Sequence, residues 1–167
     1  MSYLEDEDFE RAAQILRVKF GIDDQLRLDV IDVLRKLKHH GQIVDYVRVP
    51  DMSLPDAEAQ YDPDKGIIYL RESTYLAAQR GDSRARWTVA HEVGHVALNH
   101  QRTRNRSSAS RSIEKIAQTI RRDEAQAHRF AAALLAPFHR ANFSLQTTAQ
   151  QVAMRFDISL AAAPSAC

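Results

Sequence analysis

The run HEVGH at residues 91–95 places two imidazoles and a carboxylate at a spacing that suits metal chemistry. If the segment is helical, His91 and His95 are four residues apart, lie on the same face and can direct nitrogen atoms at one ion. Glu92 stands beside them, where a carboxylate can take a proton from water whose pKa zinc has lowered to about 7. The spacing therefore predicts a hydrolytic zinc site, with Glu92 as its general base.

Two histidines rarely make a catalytic zinc site alone, because such sites usually have three protein ligands and a fourth position for water. The extended motif HExxHxxGxxH is excluded, since Leu98 and Gln101 stand at the positions of its glycine and third histidine. A carboxylate from a following helix is the other common solution. The acidic residues between HEVGH and Pro137 are Glu114, Asp123 and Glu124.

Helical facing separates these three acidic residues. Glu124 precedes Ala127, Ala131 and Leu134 at helical spacing, so it extends a small and apolar face that would pack on the core. Asp123 would point about 100° away. The sequence therefore predicts His91, His95 and Glu124 as metal ligands, with Asp123 as the substitute for Glu124.

The helix that carries HEVGH is indicated by an apolar face that includes Val89 and Val93. Asp82 or Ser83 could cap its N-terminus. Gly94 costs a helix interior about 1 kcal/mol relative to alanine. That cost would be explained if another backbone or a substrate strand passed close by, or by packing alone.

Apolar residues at helical spacing predict further helices over residues 9–20, 30–40 and 113–137, and Glu124 falls in the middle of the last. A final amphipathic pattern occupies residues 149–156. The elements that position the site are thus predominantly helical.

Strands are predicted at residues 43–49 and 67–70, and the turn residues of YDPDKG at 61–66 predict a hairpin. The fold class expected is α+β, with a small, mostly antiparallel sheet packed on a helical half. We expect residues 1–160 to form a single domain and residues 161–167 to be a frayed tail.

Composition excludes some classes of protein. The formal net charge is +1, from 23 Lys+Arg against 22 Asp+Glu, so no overall field attracts nucleic acid or an anionic membrane. No apolar stretch approaches the roughly 20 residues that cross a bilayer, and no signal peptide is recognisable. The single cysteine, Cys167, can form no intrachain disulfide. These features predict a soluble, cytoplasmic protein.

Two segments resemble the ImmA/IrrE-type zinc metallopeptidases: ARWTVAHEVGHVALNH at 85–100 and EAQAHRFAAALLAP at 124–137. In that family RFTLAHELGH is followed, after a loop and a helix, by E-x-x-A-x-x-F-A-x-x-L-L-x-P. The matching positions, in register, are Glu124, Ala127, Phe130, Ala131, Leu134, Leu135 and Pro137. The order of elements is similar over residues 9–160, and strong identity is confined to the two motifs.

The resemblance implies a thermolysin-like α+β fold with Zn²⁺ between two helices, although Mn²⁺ and Fe²⁺ are alternatives. It makes His91, His95 and Glu124 the ligands and Glu92 the catalytic acid and base. It also implies a site-specific protease that cleaves a helix-turn-helix repressor of stress-response or mobile-element genes. Where members usually continue as an Arg-rich helix the chain ends in PSAC, so we expect weaker substrate binding or stability if that helix matters.

Other functions remain open from the sequence. The same motif would serve a non-catalytic zinc-binding anti-repressor or a component of a toxin–antitoxin-like pair. A basic segment could make weak contacts with DNA phosphates or an acidic repressor surface, although a solvated loop is the alternative. Its arginines include Arg102, Arg104, Arg106 and Arg111.

The donor that would stabilise the tetrahedral oxyanion is not identified by the sequence. The candidates are Tyr61, Tyr69, His100 and His128. His100 and His128 are otherwise expected to be ordinary solvated histidines, because neither has the register of a metal ligand.

Overall fold

The computed structural model describes residues 4–100 and 113–137, together with Gln151 and Met154. Within these ranges the helices and strands, in chain order, are α1 (Asp6–Lys19), α2 (Val30–His39), β1 (Asp45–Val49), β2 (Ala59–Asp62), β3 (Ile67–Arg71), α3 (Glu72–Gln79), α4 (Ser83–Ala97) and α5 (Ile113–Leu135). A short 3-10 turn, Asp51–Ser53, follows β1. The α+β class is confirmed, and α3 is a helix that the sequence patterns did not reveal.

Several expectations fall outside the described residues. These are the serine-rich loop at 105–112, the basic patch of Arg102, Arg104, Arg106 and Arg111, most of the amphipathic pattern at 149–156 and the tail at 161–167. Among the residues that are described, no helix combines the length and apolarity needed to span a membrane.

The sheet has the strand order β1-β3-β2 in the described part of the chain. The predicted hairpin is present, because β2 pairs with β3 in antiparallel fashion. The expected mostly antiparallel sheet is wrong in one respect, since β1 pairs with β3 in parallel along all five residues and the sheet is mixed. β3 takes the centre because Ile68 and Leu70 are fully buried there, whereas β2 is more polar.

One cluster of buried apolar side chains connects the sheet with the described helices. The fully buried members include Leu34 of α2, Leu70 of β3, Val93 of α4 and Phe130 of α5. Alternation along β3 directs Ile68 and Leu70 into this cluster, so one face of the sheet packs on the helices. The two helices predicted to carry the site, α4 and α5, therefore lie in the main core.

Arg17 of α1 is a fully buried charged residue that joins the N-terminal helix to the end of α5. Its Nε atom donates to the carbonyl oxygen of Leu134 at 3.0 Å. Its Nη1 atom donates to the carbonyls of Ile22, at 3.1 Å, and Gln25, at 2.8 Å. A cation at the carboxyl end of a helix is favoured by the helix dipole, so Arg17 stabilises the last turn of α5 from outside it.

Candidate functional site

Helix α4 begins and runs as the sequence predicts. Asp82 is its N-cap, and the carboxylate accepts a hydrogen bond from the backbone N–H of Ala85 at 2.9 Å. Val89 and Val93 face the core and are fully buried. The HEVGH residues occupy the second half of this helix, and its apolar face fixes the rotation that aims His91 and His95 at α5.

Gly94 permits α4 and α5 to approach closely. A Cβ atom at this position would lie 3.0 Å from the carbonyl oxygen of Ala127, 3.1 Å from its Cα atom and 3.3 Å from Cδ1 of Phe130. The glycine is therefore explained by a passing backbone, that of α5. Because Glu124 is almost one helical turn before Ala127, the same contact brings its side chain to the two histidines.

The side chains of His91, His95 and Glu124 converge between the two helices. Nε2 of His91 is 3.3 Å from Oε2 of Glu124, and Nε2 of His95 is 3.2 Å from Oε1 of the same carboxylate. The two imidazole rings lie 4.9 Å apart at 83°. Two imidazole nitrogens and a carboxylate are a donor set that suits Zn²⁺.

Glu92 forms a second carboxylate contact with the histidine pair. His91, Glu92 and His95 can each offer one ligand atom within 4.8 Å of the others. However, Glu92 lies on the Nδ1 side of His91, at 3.4 Å, whereas Glu124 faces the Nε2 atoms of both histidines. Glu124 therefore approaches the Nε2 atoms of both histidines, and Glu92 lies beside them on the Nδ1 side of His91.

The Glu92 carboxylate is buried and is held by the sheet. Its Oε2 atom accepts a hydrogen bond from the backbone N–H of Tyr61, in strand β2, at 2.7 Å. The sequence gives no sign of this contact, because a backbone donor is available at almost any residue. The bond fixes the orientation of the carboxylate, and a fixed orientation is what a general base requires.

The two carboxylates make the site favourable for a cation. Burial lowers the pKa of His91, but its hydrogen bond with Glu92 and the negative charges of Glu92 and Glu124 outweigh burial and raise that pKa above the ordinary value. The pKa of His128 is lowered by partial burial and by the charge of His91. Positive charge is thus stabilised at His91.

His100 is buried beside His95, and this corrects the expectation that it is an ordinary solvated histidine. The Nδ1 atoms of His95 and His100 are 3.0 Å apart. His100 Nε2 lies 3.0 Å from Oε1 of Gln126 and 3.8 Å from Oδ1 of Asp123. The sequence named His100 only as a candidate oxyanion donor, because its spacing from His95 does not by itself indicate a contact between the two rings.

The backbone at the end of α4 explains how His100 reaches His95. Asn99 has a left-handed conformation, with φ of 53°. Its N–H donates to the carbonyl of Val96, and the N–H of His100 donates to the carbonyl of His95 at 3.0 Å. This is a Schellman motif, which turns the chain back over the last helical turn. In the sequence, this turn is indicated by Asn99, since asparagine tolerates the left-handed region.

The structure separates the other residues considered from the sequence. Asp123 contacts Arg122 and His100 rather than the Nε2 atoms of the HEVGH histidines. Tyr69 alternates with the buried Ile68 and Leu70, so it lies on the opposite face of the sheet. The exposed His128 packs edge-on against Trp87. Both ring nitrogens of His100 have partners of their own, and Tyr69 faces away from the helices. Of the four oxyanion candidates, Tyr61 and His128 therefore remain.

Comparisons with known proteins identify a family and a similar fold. The model of the family Peptidase_M78, described as IrrE N-terminal-like domain, matches residues 46–165. No curated protein matches the chain. A solved structure titled "Mycobacterium tuberculosis transcriptional regulator" is similar, with a TM-score of 0.61 and 19% sequence identity over 94% of this chain. The match covers 45% of that chain, so this protein spans less than half the length of that structure.

Proposed function

Because the chain belongs to the Peptidase_M78 family of IrrE N-terminal-like domains, we propose that it is a zinc-dependent endopeptidase acting on a regulatory protein. The observation that carries the proposal is that both oxygens of the Glu124 carboxylate reach Nε2 atoms, one of His91 and one of His95. Three donors converge there from two helices, and the buried Glu92 stands next to them. This arrangement leaves room in the ligand set for water or substrate.

His91, His95 and Glu124 would hold the metal, and their chemistry fits zinc better than a hard cation such as Mg²⁺, which prefers an all-oxygen set. Mn²⁺ and Fe²⁺ share a preference for mixed nitrogen and oxygen donors and remain alternatives. When bound, Zn²⁺ would polarise a peptide carbonyl and lower the pKa of water to about 7.

Glu92 is the residue that moves protons in the proposed reaction. The Tyr61 N–H holds its Oε2 atom at 2.7 Å, so the carboxylate keeps one orientation. From that position Glu92 accepts a proton from the attacking water and then delivers it to the departing amine. The Glu92 side chain is buried and shielded from bulk water, whereas Glu124 is half-exposed. A peptide would therefore enter from the side of Glu124.

The proposed substrate is a cytoplasmic helix-turn-helix repressor. Two observations support a regulatory role: the family to which the chain belongs, and the similarity of its fold to part of a Mycobacterium tuberculosis transcriptional regulator. In that neighbour the similar fold makes up less than half of the chain. A repressor would be inactivated by a single cut between its DNA-binding and regulatory parts, which suits a protease with one preferred site.

The test uses the zinc-loaded full chain and the product of a helix-turn-helix gene adjacent to its own, with labelled casein as a general substrate. Glu92→Gln keeps an oxygen that can accept from the Tyr61 N–H, so folding and zinc stoichiometry should persist. Cleavage should fall by about 100-fold or more. Glu10→Gln, at an exposed position of α1, is the matched control and should cleave normally.

Repressor release that persists undiminished in Glu92→Gln would contradict the protease and favour the anti-repressor, which acts by binding. Cleavage of casein at many sites, with no preference for the repressor, would contradict the regulatory substrate but leave the endopeptidase in place. DNA release assays and mass spectrometry of the fragments distinguish these outcomes.

A further inference from the structure

His100 stands next to a proposed metal ligand and has a chain of partners of its own. It is buried, its ring lies 5.1 Å from that of His95, and its two nitrogens face different groups. Nδ1 faces Nδ1 of His95, whereas Nε2 faces the Gln126 amide and, at longer range, the Asp123 carboxylate. The reaction proposed above gives no role to His100 or to these contacts.

A histidine can bind a metal through Nε2 only if that nitrogen carries no proton, which in a neutral imidazole places the proton on Nδ1. Both nitrogens of His91 face carboxylates, Nδ1 that of Glu92 and Nε2 that of Glu124. With a metal on Nε2 the choice for His91 is simple, because the proton then lies on Nδ1 and the Glu92 carboxylate accepts it. For His95 it is not. Its Nδ1 faces another imidazole nitrogen, which is a donor in one tautomer of His100 and an acceptor in the other.

Gln126 and Asp123 decide between the two tautomers of His100. The amide oxygen Oε1 of Gln126 is 3.0 Å from Nε2 of His100, and an oxygen there requires that nitrogen to be the donor. Oδ1 of Asp123, at 3.8 Å from the same nitrogen, favours the same proton position. In neutral His100 a proton on Nε2 leaves Nδ1 as an acceptor, so His95 donates to it through Nδ1–H.

We propose that His100 is a positioning residue which, oriented by Gln126, holds His95 in the tautomer whose unprotonated Nε2 faces the metal. This inference rests on the proposed metal site and adds a residue to it. The Schellman motif supplies the rigidity, because the backbone bond from the N–H of His100 to the carbonyl of His95 fixes the two residues relative to each other. Outer partners of this kind commonly change metal affinity by about 10- to 100-fold.

The first measurement is the tautomer of His100, read from ring nitrogen shifts in NMR spectra of the zinc-loaded full chain. The wild-type protein should show the proton of His100 on Nε2, with Nδ1 accepting from His95. Gln126→Met removes the acceptor that Nε2 faces, so His100 should populate the other tautomer, whereas Gln126→Glu should keep the wild-type signature. For the zinc measurement, His100→Phe keeps a ring in the buried space but has no acceptor, and His100→Asn offers an amide oxygen near the position of Nδ1.

The second measurement is the dissociation constant for Zn²⁺, from competition with a chromophoric chelator. His100→Phe should bind zinc about 10- to 100-fold more weakly, and His100→Asn should recover most of the loss. Gln126 provides an independent pair of variants in case the buried ring cannot be changed without unfolding. Gln126→Glu keeps the acceptor and should bind zinc as the wild type does, whereas Gln126→Met removes it and should weaken binding.

Three outcomes are informative. Equal zinc affinities of the wild type, His100→Phe and Gln126→Met would overturn the positioning role. A wild-type His100 protonated on Nδ1 in the zinc-loaded chain would overturn it as well. Zinc binding and tautomers as expected, with no cleavage of any protein, would instead contradict the proposed protease and leave the role of His100 intact.

Discussion

Gly94 of α4 lies directly against the backbone of Ala127 in α5, so closely that an added Cβ would meet the carbonyl oxygen at 3.0 Å. Gly94→Ala would gain about 1 kcal/mol of helix propensity but would force the helices apart. We expect a net loss of about 1–3 kcal/mol in the free energy of unfolding, since the contacting atoms are backbone and cannot move aside. Urea denaturation of the metal-free chain measures it.

The same change should weaken zinc binding, because separation of the helices carries Glu124 away from the two histidines. Ala97→Ser is the control, at an exposed position of the same helix, and should alter stability by less than about 0.5 kcal/mol. An equally stable Gly94→Ala with normal zinc affinity would show that the helices can part without affecting the site.

Glu124 is expected to be the carboxylate ligand. Glu124→Gln should lower zinc affinity by more than about 100-fold, beyond the range of an outer partner. Asp123→Asn should retain zinc stoichiometry, because Asp123 faces His100. Glu114→Gln, on the same helix and exposed, is the control that separates loss of a ligand from loss of helix charge. Zinc analysis after gel filtration decides, and loss of zinc from Asp123→Asn alone would reverse the assignment.

Zinc should stabilise the fold, because its donors come together only in the native state. At free zinc of 100 times Kd the gain is about 2.7 kcal/mol, which corresponds to a rise in Tm of about 5–10 °C for a chain of this size. Chelation should reverse the rise. His91→Ala should melt at the same temperature with and without zinc, and a shift as large as that of the wild type would place the metal elsewhere.

The left-handed Asn99 is predicted to control His100. Asn99→Gly suits a φ of 53° and should leave both stability and zinc affinity near the wild-type values. Asn99→Val places a branched side chain in the same conformation, and we expect a loss of about 1–2 kcal/mol together with weaker zinc binding. Thermal melts and chelator competition on both variants test this. If Asn99→Val bound zinc normally, the turn would not be what holds His100 in place.

Arg17→Met should lower the free energy of unfolding by about 2 kcal/mol, because the carbonyls of Leu134 and Ile22 would lose a buried donor. Arg11→Met, at an exposed position of α1, serves as the matched control and should be nearly neutral. Chemical denaturation of both variants gives the comparison. Equal stabilities would mean that the hydrogen bonds of Arg17 only offset the cost of burying its charge.

Local patterns were enough to predict the helices of the site. The apolar faces of α4 and α5, the cap at Asp82 and the facing of Glu124 all follow from 3.6-residue periodicity, which is a local property of the chain. Gly94 was also interpretable, since a glycine inside a helix indicates a close neighbour. These features require no knowledge of which elements meet in space beyond the two helices.

What the sequence did not reveal depends on long-range contacts. The parallel pairing of β1 with β3 is set by which strand is buried most deeply, and the turn at 61–66 carries no information about it. The hydrogen bond from Tyr61 to Glu92 uses a backbone donor, which has no sequence signature. His100 could have been found, because Asn99 stands where α1 and α2 have the glycines that end them, Gly21 and Gly41.

The buried guanidinium of Arg17 has a consequence for where this protein can be divided. Similarity to the family begins at residue 46, after α1 and α2. Yet α1 provides the donor that satisfies the Leu134 carbonyl, at the end of the helix that carries Glu124. A fragment that starts at residue 46 would keep every proposed metal ligand. It would lose the hydrogen bond from Arg17 that stabilises the end of α5, the helix that carries Glu124. The start of the family match at residue 46 is therefore not a boundary of the folded unit.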